Sequence, residues 1–172
     1  PPLRRLVWLC NSVLLVIGAC VILTSCQSPS ASSPRCEDVE GLVTFILALP
    51  HDGDTYTQGA LDRARPYLSQ ILCLDVQDIA TCGVFPIEML VAGLVSDQES
   101  LKLAVSQFEG MSHPELKMLL AVTAFEKSAE TPAILAHLRN AFADPRGLAI
   151  LENMLGTDLA AFKSRVLARL DS

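Results

Sequence analysis

"FEGMSHPELKMLLAVTAF", residues 108–125, carries apolar residues on more than one face of a helix. The residues that surround this helix are Leu116, Met118, Leu119, Leu120, Val122 and Phe125. A helix that is apolar on all sides usually lies at the centre of a core. We therefore predict a central helix here. The alternative is that one face stays exposed as a contact surface for a partner helix.

Short amphipathic helices with recognisable starts flank this segment. SDQE at 96–99 and SHPE at 112–115 resemble capping boxes, in which the serine takes the first free amides and the glutamate reaches back. Thr-Pro at 131–132 and Asp-Pro at 144–145 each pair an N-cap with a proline in the first turn. Gly-Thr at 156–157 closes one helix and opens the last. These signals predict a succession of separate helices.

The chain before residue 96 follows the same pattern. EDVEGLVTFILAL at 37–49 predicts a helix, HDGD at 51–54 predicts a turn, and the segment 55–72 predicts a returning helix that kinks or restarts at Pro66. VFPIEMLVAGLV at 84–95 predicts another helix, which groups Ile87, Leu90, Val91, Leu94 and Val95 on one face.

The composition agrees with helices rather than strands. Hydrophobic residues make up 51% of the 172 residues, but aromatic residues only 5%. Strands favour β-branched and aromatic residues, so a core with few rings favours an all-α fold. The helix starts recur at intervals that suit stacked helical hairpins, but no internal repeat motif is present. We expect either a compact bundle or a short solenoid of about seven or eight short helices over residues 36–172.

The first 26 residues, "PPLRRLVWLCNSVLLVIGACVILTSC", have the layout of a secretory signal. Arg4 and Arg5 precede an apolar stretch from Leu6 to Leu23. The alternative is an uncleaved membrane helix, because residues 6–25 are long enough to cross a bilayer. Either arrangement places residues 27–172 outside the cytoplasm.

The end of this segment, Leu23-Thr24-Ser25-Cys26, resembles the bacterial lipobox. The resemblance implies that Cys26 receives a diacylglycerol group on its sulfur and that a peptidase removes residues 1–25. The new amino group of Cys26 would then be acylated. Gln27, in place of an aspartate, implies an outer-membrane location facing the periplasm rather than the inner membrane. The covalent lipid on Cys26 is the only attached group that we expect, with no other cofactor.

Residues 26–35 predict a flexible linker, because QSPSASSPR at 27–35 is rich in serine and proline and has no apolar period. Cys36, Cys73 and Cys82 follow, and an oxidising compartment favours a disulfide. An antiparallel helical hairpin would bring Cys36 and Cys73 to the same end. Cys36–Cys82 and Cys73–Cys82 remain alternatives. No cysteine or histidine pair has metal-ligand spacing, so we expect no metal site.

Charge argues against nucleic acid as a partner. The net charge is −6, and removal of residues 1–25 would leave 11 basic against 19 acidic residues. An acidic domain is repelled by phosphates. Asp52-Gly53-Asp54 resembles the opening of a calcium loop, but the later acidic ligands are absent, and we expect Asp54 or Thr55 to cap the next helix instead.

The sequence contains no catalytic motif of a hydrolase, a nucleotide-binding protein or a zinc protease. His51 falls in a turn, His113 in a capping box and His137 on the polar side of a helix. We therefore expect a non-enzymatic, lipid-anchored envelope protein that acts through protein contacts as an assembly factor or accessory subunit. Its architecture is similar to that of pilotins, small helical lipoproteins of secretion systems. The alternatives are a single-span subunit of a membrane complex and a periplasmic enzyme or ligand-binding domain.

Overall fold

The computed structural model describes residues 39–53, 55–75 and 84–171, and these residues are mostly helical. The all-α prediction is confirmed for this part of the chain, apart from one small hairpin of two-residue strands. The predicted signal or anchor at 1–25 and the linker at 26–35 lie outside the described residues. Among the described residues, no helix is long and apolar enough to cross a membrane.

Seven of the described helices have nine or more residues, in agreement with the predicted number. In chain order the elements are α1 (Val39–Leu47), β1 (His51–Asp52), β2 (Thr55–Tyr56), α2 (Gln58–Ala64), α3 (Leu68–Leu72), α4 (Val84–Leu94), α5 (Gln98–Gln107), α6 (Pro114–Glu126), α7 (Pro132–Ala141), α8 (Pro145–Leu155) and α9 (Leu159–Leu170). Short 3₁₀ turns at Arg65–Tyr67, Phe108–Gly110 and Gly156–Asp158 connect neighbouring helices. The first of these turns contains Pro66, so the predicted restart is confirmed.

The hairpin between α1 and α2 is tight. His51 pairs with Tyr56 in antiparallel register, and Gly53 adopts a φ of 59°, which glycine reaches without strain. Thr57 caps α2, because its side chain accepts a hydrogen bond from the Ala60 amide at 3.3 Å. The expectation that Asp54 or Thr55 provides this cap is wrong. Thr55 belongs to β2, and its hydroxyl donates to the Asp52 carbonyl.

Two other caps lie one residue beyond the serines that the sequence suggested. Asp97, not Ser96, accepts the Ser100 amide at 2.9 Å. The Ser96 hydroxyl instead donates to the Gly93 carbonyl at 2.7 Å, so Ser96 closes α4 rather than opening α5. His113, not Ser112, caps α6. The predicted caps at Thr131 and Asp144 are both confirmed.

The central position of α6 is confirmed. This helix packs against α4, α5, α7 and α8, and its buried residues are Leu116, Met118, Leu120, Ala121 and Ala124. The main contacts elsewhere also join helices that are one or two places apart in the chain, such as α3 with α5 and α7 with α9. The described helices therefore stack as successive hairpins around one continuous core.

The last helix is attached to the end of α6 by charge as well as by packing. Arg165 donates to Glu126 through both terminal nitrogens, one of them at 2.9 Å, and Arg169 donates to Glu130 at 3.0 Å. Each arginine lies 39 residues after its partner, so the pairing repeats at the same register along the two segments. Arg165 also lies over the rings of Phe125 and Phe162, so its ion pair adjoins the packing contact between α6 and α9.

Candidate functional site

Most of the predicted site residues lie outside the described part of the chain. Cys26, Cys36 and Cys82 are among them, so lipidation and the choice of disulfide stay predictions. Cys73 follows the last residue of α3 and is exposed, with no disulfide to any described residue.

The turn that resembles a calcium loop shows no metal-binding geometry in its described residues. His51 and Asp52 are exposed on β1. Across the described residues, no group of three or more histidine, cysteine, aspartate or glutamate side chains could hold a metal ion. His51 and Asp52 pair with Tyr56 and Thr55 in the hairpin, whereas Asp54 lies outside the described residues.

A groove of about 610 Å³ lies where α6, α7 and α8 meet, and we treat it as the candidate site. Its apolar lining residues are Pro114, Met118, Ala141, Ala149 and Ile150. Its polar lining residues are Glu115, His137, Asn140, Asp144 and Arg146. An apolar interior with a few polar groups around it is the usual composition of a binding pocket.

Gly147 determines how closely two walls of this groove approach each other. A Cβ added at Gly147 would lie 2.8 Å from the Cα of Ala141, which is too close for two carbon atoms. The start of α8 therefore fits against the end of α7 only because residue 147 has no side chain. Asp144 fixes the same turn by accepting the Gly147 amide at 2.8 Å.

The start of α6 forms another wall and contains a buried histidine. The His113 side chain is 2% exposed, and its Nδ1 accepts the Leu116 amide at 3.4 Å. Glu115 Oε2 lies 3.3 Å from the same nitrogen. Burial lowers the pKa of the His113 imidazole, although Glu115 and Asp75 act in the opposite direction. The ring is therefore neutral near pH 7, and its contact with Glu115 is not an ion pair there.

His137 lines the groove from α7 and is not on a solvated polar face, so that expectation is corrected. Its ring packs edge-on against Phe108 at 5.4 Å between centroids. Its Nε2 is buried and has no hydrogen-bond partner among the described residues. Burial lowers the pKa of His137, and the nearby Lys117 ammonium lowers it further. The imidazole is therefore neutral at pH 7, with one buried nitrogen that lacks a hydrogen-bond partner among the described residues.

One acidic group that interacts with the groove residue Glu115 was not recognised in the sequence. Glu88 on α4 has a raised pKa, first because it is partly buried and then because Glu115 is near. The sequence signal was weak, since Glu88 is a lone acid within an apolar helix. Only the packing of α4 against α6 places the two carboxylates close enough to interact.

Comparison with protein-family models, curated proteins and solved structures found no match. The groove must therefore be interpreted from its own chemistry. It offers apolar contact surface, a neutral imidazole, the amide of Asn140, two carboxylates from Glu115 and Asp144 and one guanidinium from Arg146. This set suits recognition of an apolar group with polar ends.

Proposed function

We propose that this chain is a lipid-anchored helical protein of the bacterial envelope that acts by binding another protein in the groove between α6, α7 and α8. The anchor follows from the lipobox-like residues 23–26 and the linker behind them. Several acyl chains on one cysteine give a stable membrane attachment. A flexible tether then lets the helical domain reach a partner.

The composition of the groove is the observation that carries the binding role. Protein interfaces combine a desolvated apolar centre with a polar rim that fixes orientation. Here Pro114 and Ile150 provide apolar surface, while Glu115 and Arg146 provide opposite charges in the same lining. A partner segment with apolar side chains and a charged flank would match both the apolar surface and the charged residues of the groove.

The anchor is tested by the intact mass of the protein purified from membranes, with Cys26→Ala as the control. We expect residues 26–172 plus a diacylglycerol group and one acyl chain, and we expect this lipid to be lost in the control. A mass that retains residues 6–25 and carries no lipid would contradict the proposal and indicate an uncleaved membrane helix.

The binding role is tested by a photo-crosslinking amino acid at Ala149, which is exposed and lines the groove. The matched control is the same substitution at Ala161, an exposed alanine on α9. We expect a crosslink to one envelope protein from position 149 that is missing from position 161 and is lost when Ile150→Glu is added. Equal crosslinking from both positions would exclude the groove as the binding site.

A second candidate function is binding of a small ligand in the same groove. One observation favours it, since His137 lines the groove together with two acidic residues, Glu115 and Asp144. The crosslinking experiment separates the two candidates, because a small ligand leaves no protein adduct. Native mass spectrometry of the purified protein would then detect the bound ligand directly.

A further inference from the structure

One nitrogen atom at the start of α6 has two competing neighbours. Nδ1 of His113 accepts a hydrogen bond from the Leu116 amide at 3.4 Å, and Glu115 Oε2 lies 3.3 Å from the same atom. An imidazole nitrogen either accepts through its lone pair or donates through a bound proton, and it cannot do both. The two contacts therefore require two different states of Nδ1, a lone pair for the Leu116 amide and a bound proton for the Glu115 carboxylate.

In its neutral state, the His113 ring caps the start of α6. With its lone pair free, Nδ1 satisfies one of the amides at the start of α6 that have no partner within the helix. In that state the Glu115 carboxylate faces another acceptor, which is unfavourable at this distance. Glu115 is then held near Nδ1 only by its place on α6, and its side chain remains part of the groove lining.

In its protonated state, the His113 ring donates a hydrogen bond to the Glu115 carboxylate. A proton on Nδ1 turns the 3.3 Å contact into a charge-assisted hydrogen bond. The same proton removes the cap from Leu116 and places a positive charge at the positive end of the α6 dipole. Both effects weaken the first turn of α6.

The charges around His113 come from several elements. Asp75, which follows α3, and Glu115 on α6 both favour the protonated ring. Glu88 on α4 interacts with Glu115. Lys117 is held by the carbonyls of Glu109 and Met111, and its ammonium acts on His137 on α7. The charged groups that act on His113 are thus both acids, whereas the Lys117 ammonium acts on His137.

Resting on the proposed binding role of the groove, we propose that His113 is a proton-operated cap: its neutral ring holds the first turn of α6, and its protonated ring binds Glu115 and loosens that wall of the groove. Acidification thereby changes the groove through the first turn of α6. The pKa of His113 is lowered by burial, so this change occurs below the ordinary pKa of histidine.

Amide hydrogen exchange of the full chain in detergent tests the switch directly. The amides of Leu116 and Met118 are followed from pH 7.5 to pH 4.5, with intrinsic exchange rates corrected for pH. We expect protection at Leu116 to fall about fivefold on acidification, the factor that corresponds to one lost cap. His113→Asn should abolish the fall, because asparagine caps a helix without titrating. His51→Asn, at an exposed histidine, should leave the fall unchanged.

A fall in protection that persists in His113→Asn, or a constant protection in the wild type, would overturn the switch. Nitrogen-15 chemical shifts of the His113 ring in the wild type provide a measurement that needs no variant. We expect an unprotonated Nδ1 at pH 7.5 that gains a proton on acidification, and a protonated Nδ1 at pH 7.5 would contradict the cap. Neither readout involves lipid or a partner, so failure here leaves the proposed binding role standing, and failure of the anchor or crosslinking experiments leaves the switch standing.

Discussion

His137 shows how burial determines the charge of a single side chain. Its ring lies against Phe108, and its Nε2 has no hydrogen-bond partner among the described residues. Burial, aided by Lys117, lowers its pKa in the folded state. The unfolded chain keeps a histidine pKa near 6.5, so it takes up the proton first as the pH falls. The contribution of His137 to stability is therefore fully present above about pH 6.5. It decreases as the pH falls further, until the pH has passed the folded-state pKa.

We predict that His137→Leu reduces this acid-induced loss of stability, because leucine fills a similar volume and takes up no proton. The free energy of unfolding, measured in urea at pH 7.5 and pH 5.5, should differ less between the two pH values than in the wild type. Part of the difference should remain, since the pKa of His113 is lowered as well. His51→Leu, at an exposed histidine, is the control. A His137→Leu variant with the full wild-type difference would contradict the prediction.

Asp144 illustrates a cap that local sequence specifies completely. Its side chain accepts the Gly147 amide at 2.8 Å, directly before Pro145. We predict that Asp144→Ala lowers the free energy of unfolding by about 1 kcal/mol. Asp158→Ala is a matched control, because Asp158 precedes α9 but makes no capping hydrogen bond. Equal losses from the two substitutions in urea unfolding would show that the Asp144 cap contributes nothing specific.

At the scale of elements, Gly147 controls the packing of α8 against α7. A methyl group there would press on the backbone of Ala141, which belongs to a helix and cannot move alone. We predict that Gly147→Ala costs about 1–3 kcal/mol of stability, in the range of other overpacked sites. Gly59→Ala, in α2, has open space around its added Cβ and should stabilise the protein by about 0.4–1 kcal/mol.

The thermal unfolding midpoints of these two glycine variants should therefore move in opposite directions from the wild type. A Gly147→Ala variant as stable as the wild type would mean that α7 and α8 can separate without cost. The groove would then be adjustable rather than fixed at this end. Photo-crosslinking from Ala149 in the same variant would show whether the binding surface changes with it.

Across the whole described domain, the buried residues form one core that extends from Leu42 in α1 to Val166 in α9. Phe162 is fully buried and packs edge-on against Phe125 at 5.2 Å and near Phe142 at 6.4 Å. The last helix is thus part of the core rather than an appendage. A domain with one continuous core is expected to unfold in a single cooperative transition.

We predict that Phe162→Ala lowers the free energy of unfolding by about 3–5 kcal/mol, because it leaves a cavity at the contact of three rings. Leu167→Ala on the same helix is the control, since Leu167 is 40% exposed and its loss should cost far less. Urea unfolding followed by circular dichroism measures both. If Phe162→Ala produced a second, separate transition, α9 would be an independent unit and the single core would be wrong.

Local sequence patterns account for the helices and for most of their limits. Apolar spacing located the buried face of α4, Thr131 and Asp144 were recognisable as caps, and Pro66 predicted the restart between α2 and α3. These features depend on residues that are three or four positions apart, so they can be read locally. Even there, the caps of α5 and α6 moved by one residue, because Ser96 hydrogen-bonds back to α4 while Asp97 and His113 cap the following helices.

Which polar residues are buried together depends on the tertiary packing of the helices. The groove forms only where α6, α7 and α8 are in contact. Glu88 interacts electrostatically with Glu115 only because α4 packs on α6. His137 was expected on a polar face, but Phe108, about 30 residues earlier, covers its ring. The burial of a side chain depends on residues that are distant in the chain. The local periodicity of apolar residues therefore cannot predict it. The helices are therefore a property of the sequence pattern, whereas the site is a property of their packing.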